Sequence, residues 1–278
     1  MLVMLGLVFA GWGYARGTRA LWRAAGRGRG VRTWQVKAFV AGMLTVALAL
    51  ISPLDALADQ LFSAHMGQHL LLMAIAAPML ALAGAQVAWL WALPPGGRVA
   101  LGRVSNHLHA LRLLWSLPVA FACHSLALWL WHAPPLYVGA LHNAAVHALE
   151  HVVLLGSGVV FWSAAFSGVA RGGRTPGASV LCVFAFGAQC TGLGALITLS
   201  ARPWYTAYLE SSVQWGLSPM DDQVLAGALM WVPAGFVYLG FALLLLGAWL
   251  RPTSPVSRAE SGPPRRPPAH LPGGPAPH

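Results

Sequence analysis

The chain has 278 residues, 57% of them hydrophobic and only 9% charged. A soluble domain carries about 25% charged residues, so too few remain here to cover a water-facing surface, and lipid is the solvent that suits so much apolar side chain. The excess of 17 Lys+Arg over 7 Asp+Glu falls between apolar runs rather than along one face, a pattern of membrane topology and not of a nucleic-acid surface.

Seven apolar stretches follow one another, over residues 1–15, 35–52, 62–91, 112–133, 142–167, 177–199 and 222–250. The first has basic residues after it and none before it. That order suits an anchor with an outside N-terminus rather than a cleavable signal peptide. Its ~15 residues at ~1.5 Å each reach only about 22 Å, short of the ~30 Å of hydrocarbon that ~20 residues span. The third stretch is long, and Pro78 is expected to kink or divide it. Cys123, Cys182 and Cys190 lie inside apolar runs without a CxxC and read as small packing residues.

Basic residues collect in alternate connections. They are Arg16, Arg19, Arg23, Arg27, Arg29, Arg32 and Lys37, then Arg98, Arg103 and Arg112, then Arg171 and Arg174, then Arg251, Arg258, Arg265 and Arg266. Of the 17, only Arg202 falls in an opposite loop. Cytoplasmic loops collect Lys and Arg. The expected fold is therefore an all-α membrane protein, a seven-transmembrane-helix bundle over 1–250 with its N-terminus outside. A disordered cytoplasmic tail rich in Pro, Gly and Arg follows over 251–278. The opposite loops carry Asp55, Asp59, Glu210, Asp221 and Asp222.

Histidines carry the chemistry. His65, Met66, His69 and Met73 share an arc of about 100° at the start of the third stretch. Imidazoles at i and i+4 can converge on one metal, and thioether beside imidazole favours copper, especially Cu(I). The fourth stretch carries His124 and His132; the fifth carries His142, His147, Glu150 and His151, with a second i, i+4 pair. The alternating topology brings His65, His69, His132, His147 and His151 into the same outer half of the bilayer. Taken singly, His124 and His142 fit an interhelical hydrogen bond equally well. Glu150 suits a partner that orients an imidazole or accepts a proton. His107 and His109 fall in a cytoplasmic loop, and His270 and His278 in the tail. Asp222 fits a helix N-cap, while Gln223 and Met230, seven apart, share one face and can look into the same cavity. Trp129, Trp131, Trp204 and Trp215 suit an interfacial belt.

Two blocks make a resemblance specific: Ser52-Pro53-Leu54-Asp55, and Leu61 through His65-Met66-Gly67-Gln68-His69 to Met73. With Trp131-His132-Ala133-Pro134, the later His147 and His151, and Asp222-Gln223 through Gly227 to Met230-Trp231, the chain resembles the CtaG family of polytopic membrane cytochrome c oxidase assembly factors. The resemblance runs nearly to Leu250. It does not extend to the unrelated single-span copper chaperone that shares the family name. It implies a seven-helix protein of the bacterial cytoplasmic membrane that helps supply copper to a haem–copper oxidase. Its expected partners are cytochrome c oxidase subunits, a periplasmic copper donor and membrane lipid.

The leading reading is thus a copper-binding assembly factor rather than an enzyme. His65, His69, His132, His147 and His151, with Met66 and Met73, are candidate ligands. Glu150, His124, His142, Asp222, Gln223 and Met230 surround them. A haem-binding electron carrier with bis-His ligation fits the same histidines, although it has no need of the methionines. A proton-coupled transporter using Glu150 would need titratable groups across the whole bilayer, whereas these crowd into one half.

Overall fold

The computed structural model of the chain describes residues 2–107, 113–170, 173 and 175–251, and among these there are helices and no strand. His109, Arg112, Arg171, Arg174 and the segment 252–278, with its expected disorder, lie outside the described residues. In chain order the helices are α1 (Leu2–Ala25), α2 (Thr33–Ile51), α3 (Pro53–Ala58), α4 (Phe62–Leu82), α5 (Ala85–Ala92), α6 (Pro95–His107), α7 (Leu117–Trp131), α8 (Pro134–Leu141), α9 (Ala144–Val169), α10 (Pro176–Thr198), α11 (Ser211–Gln214) and α12 (Pro219–Leu250). Five of them, α2, α4, α9, α10 and α12, are long and apolar enough to cross a membrane.

Local chemistry sets the starts. Pro176 opens α10 and Pro219 opens α12 at positions where a missing N–H costs nothing. Asn143 caps α9 by accepting from the N–H groups of Ala145 at 2.9 Å and Val146 at 3.3 Å. The apolar run 1–15 understates α1, which continues for 24 residues, about 36 Å. Arg16, Arg19 and Arg23 end the apolar run without ending the helix. α7 is apolar but has 15 residues.

Pro78 does not divide α4. The chain passes into a π-helical turn over Leu71–Ala76 and resumes α-helix from Ala77 to Leu82. Within the turn the N–H of Ala77 bonds five residues back, to Leu72 O. The next such bond would run from residue 78 to Met73 O, but proline has no N–H. Trp162 of α9 supplies the missing donor: its Nε1 donates to Met73 O at 3.2 Å. The break comes later, at Gly84, whose φ of 63° is left-handed and favours glycine.

α1 packs on α5, and α2 packs on α4. α4 lies against α9 and α12, α9 against α7 and α10, and α10 against α12 in the most extensive pairing. That last pair meets glycine to glycine. A Cβ on Gly227 would sit 2.6 Å from Gly194 O, and one on Gly194 would sit 2.7 Å from Gly227 O. Small residues are what allow two helix backbones to approach so closely. The main core lies among α4, α7, α9, α10 and α12 around Phe161, Trp162, Phe186 and Tyr238. Large apolar side chains such as Leu181, Phe236 and Leu244 point outwards. A bundle apolar both inside and out is built for lipid.

Candidate metal centre

The N-terminal end of α4 carries the block from Phe62 to His69, and that end has no side-chain cap of its own. Its cap comes from the far end of the sequence. The Asp222 carboxylate, buried in the first turn of α12, accepts from the N–H groups of Phe62 at 2.8 Å and Ser63 at 3.0 Å. A negative group there also answers the positive end of the helix dipole. Asp222 is therefore a cap, though of α4 rather than of its own helix. α12 is capped by Ser218, whose Oγ accepts from Asp221 N at 3.1 Å. Gln223, the next residue, accepts from Trp204 N at 2.7 Å and donates to Ile197 O and Arg202 O, both at 3.2 Å. It pins the α10–α12 loop and does not face the histidines' cavity. Gln68 donates to Ala49 O at 2.7 Å and to Asp55 Oδ1 at 2.8 Å, so the two sequence blocks 52–55 and 61–73 are joined in space.

Five imidazoles meet where α4 and α9 begin and α7 ends. Ring centroids of His65 and His69 are 4.5 Å apart, His147 and His151 4.5 Å, His65 and His147 5.1 Å, His69 and His132 5.4 Å, and His69 and His151 5.6 Å. His147 is half-buried; the other four and Glu150 are buried. Two donor sets have their ligand atoms within 4.8 Å of one another: His65, His69 and His151, and His65, His147 and Glu150. His69 Nε2 lies 3.5 Å from Glu150 Oε1, yet neither Glu150 oxygen has a hydrogen-bond partner among the described residues.

Neighbouring groups decide which nitrogen offers a lone pair. A carbonyl can only accept, so His132 donates from Nδ1 to Leu128 O at 2.7 Å and its Nε2 is the basic nitrogen. The Tyr208 hydroxyl has one proton. With Ala58 O as its acceptor at 3.2 Å, it receives from Tyr137 at 2.8 Å and from His65 Nδ1 at 3.4 Å. His65 Nε2 then holds a lone pair, and it faces His69 Nε2 at 3.0 Å. His69 donates across that gap, which leaves its own Nδ1 as the basic nitrogen. Burial raises the Tyr205 and Tyr208 hydroxyls above the ordinary phenol range, so both keep the proton they donate. Tyr205 uses its proton on His132 O at 2.7 Å.

The Nε2 atoms of His132, His147 and His151 and both oxygens of Glu150 are buried without partners among the described residues, as is Nδ1 at the other corner of the His69 ring. Each such group costs about 1–3 kcal/mol if left unanswered. A cation on the convergent nitrogens, balanced by one carboxylate, answers them together. The donor set of imidazoles and a carboxylate fits a transition-metal ion.

Not every expected residue joins the cluster. His142 is exposed at the end of α8. His124 lies apart, stacked on Phe186 at 4.2 Å, with Nδ1 2.9 Å from Ser157 Oγ of α9, which is the interhelical hydrogen bond. Met66, Met73 and Met230 lie on the other side of His69, around a small cavity of their own. The sequence reading missed Tyr137, Tyr205 and Tyr208. Tyr137 sits in the short α8, Tyr205 in a loop and Tyr208 in the single 3-10 turn Thr206–Tyr208, where no periodicity singles them out.

A family model described as cytochrome c oxidase caa3 assembly factor (Caa3_CtaG) matches residues 12–252. In comparisons with curated proteins and with solved structures, none matches.

Proposed function

Since the chain belongs to the cytochrome c oxidase caa3 assembly factor family, we propose that it binds copper in the bacterial cytoplasmic membrane and supports delivery of that copper to a haem–copper oxidase. The observation that carries this reading is the set of buried, unpartnered imidazole nitrogens converging from α4, α7 and α9 beside Glu150. Copper is here the cargo. His65, His147 and His151 hold it, His69 and His132 stand beside them, and Glu150 supplies the single negative charge. Tyr208 and Leu128 O set the tautomers of His65 and His132, as outer partners do for metal-binding histidines.

The membrane arrangement follows from the charges. Counting α1 and α7 with the five long apolar helices gives seven crossings, with the N-terminus outside and the C-terminus inside. The basic residues between α1 and α2 and after α12 then lie in the cytoplasm. The histidine cluster lies near the outer face, so a periplasmic copper donor reaches it without the ion crossing the bilayer. Oxidase subunits are the recipients.

The test is a strain carrying only His69→Ala. Alanine keeps helix propensity high, so protein levels are expected to be normal. Oxidase in its membranes is expected to contain haem and lack copper, with activity lost in proportion. Full copper occupancy and full activity at limiting copper supply would remove the histidine cluster from the mechanism.

A further inference from the structure

Inward of the histidine cluster, α4, α10 and α12 enclose a second cavity. It is lined by Met66, His69, Met73, Cys190, Met230 and Tyr238, with small apolar neighbours. Its volume is about 10 Å³, near the least that holds one water molecule. No organic cofactor fits such a space, whereas a single ion does. All six side chains are buried.

Methionine often fills irregular gaps in a core, and a purely apolar void would need no other explanation. Two residues of this wall argue otherwise, because each carries an unanswered polar atom. His69 Nδ1 and the Tyr238 hydroxyl are buried and have no partner among the described residues. The tautomer argument gives His69 Nδ1 the lone pair. The wall thus offers three thioethers, one thiol and one basic imidazole nitrogen around a space for one small guest. Soft sulfur with imidazole selects Cu(I) among the biological metals.

We propose that this cavity is a second Cu(I) station, held by sulfur from Met66, Met73, Met230 and Cys190 and by Nδ1 of His69. His69 is the shared wall, presenting Nε2 to the histidine cluster and Nδ1 to the sulfur station. No electron moves when the ion enters. One proton leaves if Cys190 binds as thiolate, and that exchange of one positive charge for another keeps the station neutral, as a low-dielectric interior requires. The histidine cluster receives copper near the surface; the sulfur station holds it in reduced form one helical turn or so inward.

The proposal is tested on the full chain, purified in detergent and titrated anaerobically with Cu(I), by X-ray absorption and copper analysis. Sulfur scattering is expected in the loaded wild-type protein. The double variant Met230→Leu with Cys190→Ala is expected to lose that sulfur signal and about one equivalent of copper while keeping nitrogen-bound copper. The double variant His147→Ala with His151→Ala is expected to do the reverse. Copper bound only through nitrogen or oxygen in the wild-type protein at every loading would overturn the sulfur station and leave the histidine cluster standing. No copper bound at all would overturn both. The wild-type spectrum decides even if a variant fails to fold.

Discussion

One proton on Tyr208 organises much of the centre, because a hydroxyl that donates to Ala58 O must accept from His65. Tyr208→Phe removes that acceptor and frees the His65 ring. The expected result is copper affinity weakened about 10–100-fold, as for other outer partners of ligating histidines, with the helical content unchanged. A Cu(I) competition titration beside a circular dichroism spectrum checks both halves. Asp222 acts by capping rather than by ligation. Asp222→Ala strands two backbone N–H groups at the start of α4, and charge-assisted bonds are worth about 1.5–3 kcal/mol each. Thermal unfolding in detergent should show a clear loss for Asp222→Ala and a smaller one for Asp222→Asn, which keeps one acceptor oxygen. Equal losses would mean that a neutral acceptor contributes nothing and the charge carries the whole effect. At this scale the i, i+4 pairs His65/His69 and His147/His151 were legible in the sequence, because spacing on a helix is a local property. The capping role of Asp222 was legible too, but not its target, since the partner lies 160 positions away. Tyr208 was not, because a single 3-10 turn is too short to announce a face.

α4 shows how an element departs from its ideal period. Its π turn and Pro78 leave Met73 O without a backbone donor, and the Trp162 indole fills the gap. Trp162→Phe keeps most of the ring packing and removes the donor. The expected cost is about 1–3 kcal/mol for the stranded carbonyl, read as a lowered unfolding midpoint in detergent. An unchanged midpoint would show that water or a bifurcated bond serves that carbonyl. Gly227→Ala is the sharper test of the α10–α12 contact, since its Cβ would meet backbone atoms of Gly194 and Thr198 as well as the Thr198 hydroxyl. Overpacking costs typically about 1–3 kcal/mol, and a cross-linking distance between the two helices should lengthen. Apolar runs foretold where the long helices lie. They could not foretell α1's length, because Arg16 and Arg19 change what surrounds a helix without ending it. Nor could Pro78 locate the break, because a π turn absorbs a proline that an α-helix would not.

Across the whole molecule, charge asymmetry is the feature with the widest reach. The arginine-bearing end of α1 and the histidine cluster stand at opposite ends of the bundle, with Arg16 Nε donating to Ala92 O at one end and His65 meeting Tyr208 at the other. A reporter active only in the periplasm, fused after Leu250, is therefore expected to give no signal; a strong signal there would break the seven-crossing arrangement. The tie between Asp222 and the first residues of α4 adds a matter of timing. A ribosome delivers the histidines of α4 to the membrane well before α12. Until α12 arrives, the N–H groups of Phe62 and Ser63 have only water to bond, and the turn that aims His65 is loosely held. The proposed copper centre is thus completed only once α12 is made, so a chain that stops short of α12 offers the cell no finished place to put a toxic metal.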